Sequence, residues 1–558
     1  MTIHPPASPP SGYNILLVVV DQERHFGRYP FPVPARERLI REGTSFNRHQ
    51  NCSNVCTSSR SVLYTGWHMP VTGMFDNFGL PWMTNDLDPA LGTLGSMMRQ
   101  AGYYAVYKGK WHLTAAFEGG IHTEPRLAQV MERYGFSDYH GIGDAIGWSQ
   151  GGYLYDEIIA AQTVNWLRGT GQSLRRAGRN WFLALNLVNP HDVMFIDTDW
   201  PDEQVQWTCA INEGGVSMNP AQPPENELYK AEWADVPLPA SRHQRFDEPG
   251  RPQAHAEYQR ARAALVGDFA DEDRRWRKLQ DYYFNCIRDS DRHVARVLDE
   301  LDSLGLTKST IVVFTSDHGE LGGSHGMHGK GSSVYREQIN VPMIVAHPAY
   351  PGGSACEALT CHLDVAPTLL ALTGLAAEQR DAILGKRQGV DFSPLLSQPE
   401  AAPVDAIRAD SLYCFSMFTY ADGDYLGKVQ AIRRSDALTA EGKQVAIGKV
   451  PMDLTKRSGI RCLYDGRYKF ARYFSLRQHN LPETIEALTS YNDLELFDTV
   501  EDPGELRNLA AEGDAHLDLI EALNAKLNAI IAREIGRDDG SFLPMSGLQS
   551  WDVRLVIE

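Results

Sequence analysis

The chain has 558 residues, of which 43% are hydrophobic and 22% are charged, an ordinary composition for a soluble globular enzyme. Its formal net charge of −18 argues against a nucleic-acid partner and against an anionic membrane surface, because both require a basic face. An anionic substrate would therefore have to be bound by a local cluster of positive side chains.

The N-terminal sequence predicts no export signal. Residues 1–12 lack a basic region, and the apolar run at residues 15–20 is too short for a signal peptide core or a membrane span. Eight cysteines are scattered without a Cys-x-x-Cys pair, which is typical of reduced thiols. We therefore predict a cytoplasmic enzyme with no membrane partner.

The first predicted element is a strand at residues 14–20, a continuous apolar run rich in β-branched side chains. Such runs are typical of strands buried on both faces of a parallel sheet. The strand delivers Asp21 and Gln22 at its carboxyl end, where open α/β sheets bind ligands. Both residues are candidate ligands of a bound group.

A short helix is predicted next, at the stretch that begins with Cys56 and ends at Gly66. Thr57 to Ser59 are good N-cap types, and the glycine is a typical C-terminal cap. A thiol at a helix N-terminus beside Arg60 lies in partial positive charge, which favours a thiolate or a bound anion. Cys56 is therefore a candidate nucleophile in an anion site.

A helix at residues 91–102 and a strand at residues 103–107 precede the sequence Lys108-Gly-Lys-Trp-His112. If this segment is extended, alternation sends Lys110 and His112 to the same side. A cation and a titratable imidazole would then face one site.

A further buried strand is predicted at residues 180–189, and Pro190 ends it just before His191. Residues 193–277 follow, rich in Pro, Trp and acidic side chains and with weak periodicity. Such a stretch is typical of an insertion that forms a lid over a site, with little contribution to the core. An amphipathic helix is predicted at residues 279–304.

Another strand that is buried on both faces, like the one at residues 14–20, is predicted at residues 309–315. It is followed by Asp317 and His318. Two parallel strands that end in Asp21-Gln22 and Asp317-His318 can bring three oxygen donors and one nitrogen together. This set suits a divalent cation. The glycine-rich run after it, from Gly322 to Gly331, allows a tight fold that presents Lys330 inward.

The C-terminal part reads as a smaller α+β unit. We predict a catalytic domain at residues 12–397 and a smaller domain at residues 398–558, with short strands at residues 411–418, 459–464, 467–474 and 494–497 and a helix at residues 514–535. Apolar side chains spaced along residues 541–558 could pack on a second copy, so a homo-oligomer is one prediction.

The stretch Cys56-Thr57-Ser58-Ser59-Arg60 with Leu63-x-Thr65-Gly66 resembles the signature of the type I sulfatases. Gly109-Lys-Trp-His112 resembles a second signature of that family. The usual first pattern has Pro or Ala where this chain has Ser58. The resemblance covers residues 12–397 strongly and 459–535 loosely, and implies an alkaline-phosphatase-like α/β fold: a mixed, mostly parallel sheet with helices on both faces, plus a smaller C-terminal antiparallel sheet with a helix.

The resemblance also implies a mechanism. In the family, a maturation enzyme oxidises the cysteine to formylglycine (3-oxoalanine), whose hydrate attacks the sulfate ester. Carried over to this chain, the divalent cation, Ca²⁺ with Mn²⁺ or Zn²⁺ as alternatives, is held by Asp21, Gln22, Asp317, His318 and the modified Cys56. The resemblance gives Arg60 the role of orienting the hydrate and gives His112 the role of proton acceptor. Lys110, His191 and Lys330 would bind the sulfate oxygens.

The predicted function is therefore hydrolysis of small-molecule sulfate monoesters by an arylsulfatase-like sulfuric ester hydrolase. Asn77, as a substrate-binding residue, and Gln22 resemble the choline-sulfatase and phosphonate-monoester-hydrolase branch. Two alternatives follow: a phosphonate monoester or phosphodiester hydrolase with the same nucleophile, and a non-catalytic homologue in which Ser58 leaves Cys56 unmodified.

Overall fold

The structure is a computed structural model. It describes residues 11–544, apart from residues 79–81, 84, 119–123, 142, 145–147, 207–208, 211–216 and 219. Most of the tail at residues 541–558, predicted above to pack on a second copy, lies outside the described residues. Within the described parts of the chain, every helix is too short or too polar to span a lipid bilayer.

The strands alternate with helices through the first 372 residues, as a layered α/β fold requires. The strands are β1 (Asn14–Asp21), β2 (Thr44–Phe46), β3 (His49–Gln50), β4 (Tyr104–Gly109), β5 (Trp181–Pro190), β6 (Cys209–Ala210), β7 (Ser217–Met218), β8 (Thr310–Ser316), β9 (Met343–Ala346), β10 (Ser354–Cys356), β11 (Thr360–Cys361), β12 (Ser411–Phe415), β13 (Arg457–Tyr464), β14 (Tyr468–Ser475) and β15 (Asn492–Asp498).

The helices range from single turns to one element of 31 residues. They are α1 (Pro34–Glu42), α2 (Cys56–Thr65), α3 (Met69–Thr72), α4 (Leu94–Gln100), α5 (Glu124–Arg133), α6 (Gly151–Trp166), α7 (Gln172–Arg176), α8 (Gln253–Val266), α9 (Asp273–Ser303), α10 (Arg336–Ile339), α11 (Val365–Leu372), α12 (Ala377–Leu384), α13 (Gly423–Arg434), α14 (Ala440–Ile447), α15 (Ile485–Tyr491) and α16 (Leu517–Glu534).

The larger sheet has seven strands among the described residues, in the order β10-β2-β9-β8-β1-β5-β4. β1 pairs in parallel with both β5 and β8, whereas β9 runs antiparallel to β8 and β2. Side chains of β1 alternate between two cores: Leu17 packs with α2 and α11 on one face, and Val18 packs with α6 and α9 on the other. The predicted mixed, mostly parallel sheet with helices on both faces is confirmed.

The four C-terminal strands form a separate antiparallel sheet in the order β12-β13-β14-β15, and α16 packs against it. The predicted antiparallel sheet with a helix is therefore confirmed. The sequence analysis did not predict the helices α13 and α14, at residues 423–447. In α14 no side chain is buried, so that helix carries little apolar periodicity.

An ion pair joins the two parts of the chain. Glu534, on α16, accepts a hydrogen bond from His68 Nε2 at 2.8 Å and also contacts Arg408 and Arg533. Burial opposes ionisation of Glu534, but these partners lower its pKa from 4.5 to about 2. Because the pKa is depressed, the stabilisation is present above pH 4.5 and is lost as the pH falls towards 2.

We expect Glu534→Gln to lower the free energy of unfolding by about 3 kcal/mol at pH 7, the usual loss on breaking a buried pair. The difference from wild type should shrink as the pH falls below 4.5. Chemical denaturation at several pH values measures it. The control is Glu521→Gln, an exposed position on the same helix, and a loss that is independent of pH would contradict the ion pair as its origin.

Candidate active site

The carboxyl ends of β1 and β8 bring two acidic residues together. Val20 is in register with Ser316, so Asp21 and Asp317 follow at the same edge of the sheet. Gln22 has a positive φ of 74° and its N–H donates to Asp317 Oδ1 at 3.1 Å. Non-glycine residues in this conformation are strained and concentrate at functional sites.

Asp21, Cys56, Asp317 and His318 form a buried group whose possible ligand atoms all lie within 4.8 Å of one another. His318 Nδ1 lies 3.1 Å from the carbonyl oxygen of Gly319, which can only accept, so Nδ1 carries the proton. Its Nε2 therefore presents a lone pair to the group and lies 3.1 Å from Cys56 Sγ. This donor set can hold a divalent cation.

Gln22 lies at the side of this group. Its Oε1 accepts a hydrogen bond of 2.6 Å from Lys330 Nζ, and its Nε2 donates to Glu320. Glu320 also accepts from the backbone N–H groups of Gly322 and Gly329. Sequence reasoning passed over Glu320, although its place three residues after Asp317 in a glycine-rich segment was a signal.

Cys56 is the first residue of α2, and Gly66 ends the helix with φ 71° and an N–H bond to Val62 O of 2.8 Å. The expectation that Thr57 to Ser59 cap this helix is wrong, because the N-cap residue is Val55 and makes no side-chain cap. Instead Asn77 Oδ1 accepts from the N–H of Thr57 at 3.3 Å. Asn77 thus holds the helix end that carries Cys56.

Arg60 joins both carboxylates from the side of α2. Its Nε donates to Asp317 Oδ2 at 2.9 Å, and its Nη2 lies 3.3 Å from Asp21 Oδ2. The Nη1 atom donates to Lys110 O and to Asn186 Oδ1, both at 3.1 Å. Sequence reasoning did not identify Asn186, which lies inside β5 as an apparently ordinary strand residue. Arg60 therefore fixes the positions of the two acidic side chains.

Lys110 and His112 lie in a turn, so the expected extended segment is wrong. β4 ends at Gly109, where φ is 92° and a Cβ would fall 1.8 Å from Asn186 O. The N–H groups of Trp111 and His112 both donate to Asp144, each at 2.7 Å, and His112 has φ 57°. The turn nevertheless directs Lys110 Nζ onto Asp21.

His112 is neutral at physiological pH. Burial holds the pKa of its imidazole well below 6.5, and the nearby charges of Lys110 and Arg60 lower it further. Its Nδ1 has no hydrogen-bond partner within the described ranges, and its Nε2 lies 3.6 Å from Glu118 Oε1. A neutral, buried imidazole with an unused ring nitrogen can accept a proton.

His191 begins the short 3₁₀ turn that follows β5, His191–Phe195. Burial lowers the pKa of this histidine well below 6.5, and Lys330 and Lys110 add to the effect. Those charges act on it because it faces the same site. Its Nδ1, like that of His112, has no partner in the part of the chain that the structure describes.

Asp21 stays ionised although it is fully buried. Burial opposes its charge, but Lys110, Lys330 and Arg60 hold the pKa of the carboxyl well below 3.8. Asp317 behaves differently, since burial and the charge of Asp21 raise its pKa to about 6. The site therefore joins two acids with opposite shifts, as active sites commonly do.

The stretch at residues 193–277 is more than a lid. It contains α8, whose Ala254, Tyr258 and Ala261 belong to the main hydrophobic core, and α9 already begins at Asp273. Tyr258 also donates to the carbonyl oxygen of His328, at 2.7 Å. The expectation that this stretch contributes little to the core is therefore wrong, because α8 is part of the core.

The carboxyl ends of β1 and β8 and the buried cluster between them form a candidate hydrolase site on a fold of the alkaline-phosphatase-like α/β class. The model of the Sulfatase family matches residues 13–375. The chain therefore belongs to the sulfatase family.

Individual relatives are distant. The uncharacterised sulfatase YidJ of Escherichia coli K12 is 26% identical over 65% of this chain and 68% of its own length. An endo-4-O-sulfatase of Bacteroides thetaiotaomicron is 22% identical over 90% of this chain and 85% of its own. The solved phosphonate monoester hydrolase from Silicibacter pomeroyi is similar with a TM-score of 0.61 at 20% identity, covering 94% of this chain and 96% of its own. The last likeness concerns the fold.

Proposed function

We propose that this sulfatase hydrolyses aryl-type sulfate monoesters with a formylglycine formed from Cys56 and one divalent cation. The observation that carries the proposal is the position of Cys56 Sγ, 3.0 Å from Lys330 Nζ and 3.1 Å from His318 Nε2. A nucleophile at this position would attack a sulfate group held between cations. A maturation enzyme that oxidises Cys56 is the partner we propose.

The residues fit a divalent cation. Asp21 and Asp317 are two carboxylates at 0% exposure, and an imidazole lone pair joins them. A bound cation would act as a Lewis acid on a sulfate oxygen and offset the repulsion between the carboxylates. Oxygen donors favour Ca²⁺, whereas the imidazole makes Mn²⁺ and Zn²⁺ the alternatives. Gln22 Oε1 is a further proposed ligand.

The residues also fit a modified Cys56. A formylglycine here would supply two geminal hydroxyl groups, one for attack at sulfur and one for the later release of sulfate. Ser58, at the position of the usual Pro or Ala, is fully buried, and its hydroxyl has no partner among the described residues. The folded chain therefore uses Ser58 only as a small side chain, which supports its equivalence to alanine.

The chain's own residues would then divide the work. Lys110 and Lys330 would neutralise the negative charge that grows on the sulfate oxygens, usually the largest catalytic contribution, and His191 would donate a hydrogen bond to one of those oxygens. Arg60 would hold the site's carboxylates and orient the nucleophile. His112, kept neutral, would accept a proton during release of sulfate. The cytoplasmic location and a homo-oligomeric state stay predictions.

We expect a higher kcat/KM for 4-nitrophenyl sulfate than for 4-nitrophenyl phenylphosphonate, measured on the same metal-loaded preparation. The phosphonate reaction is the second candidate function, favoured by Gln22 and Asn77 beside Cys56. A reversed preference would assign the protein to phosphonate ester hydrolysis. Activity on neither ester, with an unmodified Cys56 in the intact mass, would identify a non-catalytic homologue.

A further inference from the structure

Arg262, on α8, is a buried cation without a counter-charge. The residue is 1% exposed, yet within the described ranges no carboxylate lies in ion-pair distance of it, and its Nε and Nη1 have no hydrogen-bond partner. Nη2 lies 3.3 Å from Met194 O and 3.5 Å from His328 Nδ1, and the side chain of Arg262 also forms a hydrogen bond with Tyr420. Burial of an unpaired guanidinium is costly, and arginine does not escape the cost by losing its proton.

Other deeply buried arginines of this chain are compensated. Carboxylates contact each of Arg36, Arg60, Arg275, Arg408 and Arg461. Arg472 instead donates to the amide oxygens of Asn524 and Asn528, at 2.9 and 2.7 Å. Arg262 contacts no carboxylate, and its Nε and Nη1 have no acceptor among the described residues, which distinguishes it from these other arginines.

The guanidinium of Arg262 lies between two segments of the candidate active site. Its contact Met194 belongs to the turn that begins with His191. On the other side, a Cβ on Gly329 would fall 3.7 Å from Arg262 Nε, and Gly329 directly precedes Lys330. Arg262 therefore contacts the two segments that carry His191 and Lys330.

Two tyrosines complete this region. Tyr258 and Tyr420 pack edge to face, with ring centroids 4.7 Å apart, and both interact electrostatically with Arg262. Tyr420 also lies near enough to Cys56 for their charges to interact. Arg262 and the two tyrosines therefore form one buried cluster, and Tyr420 connects this cluster to the surroundings of Cys56.

Glu320 is the carboxylate that interacts with Arg262 over a longer distance. It does not accept a hydrogen bond from Nε or Nη1 of Arg262. Both oxygens of Glu320 are already bonded, Oε1 to the N–H groups of Gly322 and Gly329 and Oε2 to Gln22. An anion from outside the chain can fill the place, and the guanidinium fork matches a carboxylate or sulfate group in a bidentate geometry.

We infer that Arg262 binds a second anionic group, a carboxylate or a second sulfate, on the alcohol part of the sulfate ester. The inference rests on the proposed function, since it assumes that the first sulfate is held at Cys56. It makes Arg262 a specificity-determining residue, and it narrows the substrate class to sulfate esters that carry a further negative charge.

The test uses inert probes, so it does not depend on turnover. Calorimetry on the metal-loaded protein compares benzenesulfonate with 4-sulfobenzoate and benzene-1,4-disulfonate. We expect one or both dianions to bind wild type about 10- to 100-fold more tightly than the monoanion, as a charge-assisted hydrogen bond predicts. The dianion that binds more tightly shows whether Arg262 prefers a carboxylate or a sulfate-like group. Arg262→Gln should remove the difference, and Arg262→Lys should retain part of it.

Arg260→Gln is the matched control, because Arg260 lies on the same helix, is 46% exposed and pairs with Glu257. It should leave the ratio of affinities unchanged, and thermal unfolding verifies that each variant is folded. Equal affinity of wild type for all probes, including no binding of any, overturns the inference. An affinity ratio of dianion to monoanion that is the same in Arg262→Gln as in wild type also overturns the inference. Turnover of 4-nitrophenyl sulfate, measured in parallel, reports the proposed function separately.

Discussion

Replacing Cys56 with alanine is expected to abolish sulfate ester hydrolysis while leaving most of the metal in place. The side chain lies at the centre of the cationic cluster, with Lys330 Nζ 3.0 Å from its sulfur. Alanine offers no nucleophile, whereas Asp21, Gln22, Asp317 and His318 stay available to the cation. The loss should therefore appear in kcat and not in the metal content, which elemental analysis measures.

The same residue carries the test of the modification. An unmodified thiolate could attack sulfur, but it has no second hydroxyl group to expel sulfate, so turnover would stop after one cycle. The peptide with residue 56 should therefore be lighter than its cysteine form and should react with hydrazine reagents. Fully active enzyme with only an alkylatable thiol at Cys56 would contradict the proposal.

Cys52→Ala is the control for this experiment. Cys52 is equally buried and lies only four residues away, but it packs with Val62, Cys361 and Leu363 in a small apolar cluster. Its removal should lower stability modestly and leave turnover per metal-loaded molecule unchanged. A similar loss of activity in both variants would indicate a packing effect.

The second large effect is expected from Asp317→Ala, which should lower both metal affinity and kcat by more than about 100-fold. The substitution removes a candidate ligand and also the partner of Arg60 Nε at 2.9 Å. Loss of one member of a buried charge pair costs about 3–5 kcal/mol, because the other charge stays buried. Elemental analysis and steady-state kinetics measure the two losses.

The control is a substitution in a second cluster of acidic residues within the described part of the chain. This cluster consists of Glu257, Asp422 and Asp424. Lys456 Nζ contacts all three carboxylates, at 2.9, 2.7 and 3.1 Å. The lysine therefore balances their negative charge without a metal ion. Asp422→Ala should therefore leave the metal content at one ion per chain. Full activity of Asp317→Ala, or loss of the metal in Asp422→Ala only, would refute the assignment of the site.

Local patterns in the sequence were sufficient for the elements that carry the site. Continuous apolar runs predicted β1, β5 and β8, because strands buried on both faces need apolar side chains at every position. Residues at the ends of those runs then had to meet at one edge of the sheet. The position of Asp21 beside Asp317 follows from this rule and from the parallel register.

Hydrogen bonds between segments that are distant in sequence could not be predicted from these local patterns. Asn186 looks like any strand residue, yet it bonds Arg60 and Tyr64. The acidic anchor of the turn at residues 110–112 is Asp144, more than 30 residues away. Hydrogen-bond partners of this kind depend on how the elements pack, and no local periodicity encodes them.

The sequence by itself thus determined the class of fold, the candidate nucleophile Cys56 and the set of charged residues, since these depend on hydrophobic periodicity and on short contiguous motifs. The tertiary structure alone decided which charges are compensated. It gives Asp21 and Asp317 opposite pKa shifts and leaves Arg262 without a carboxylate. The physical reason is that burial and charge–charge distances act between residues hundreds of positions apart, and they exist only after the chain has folded.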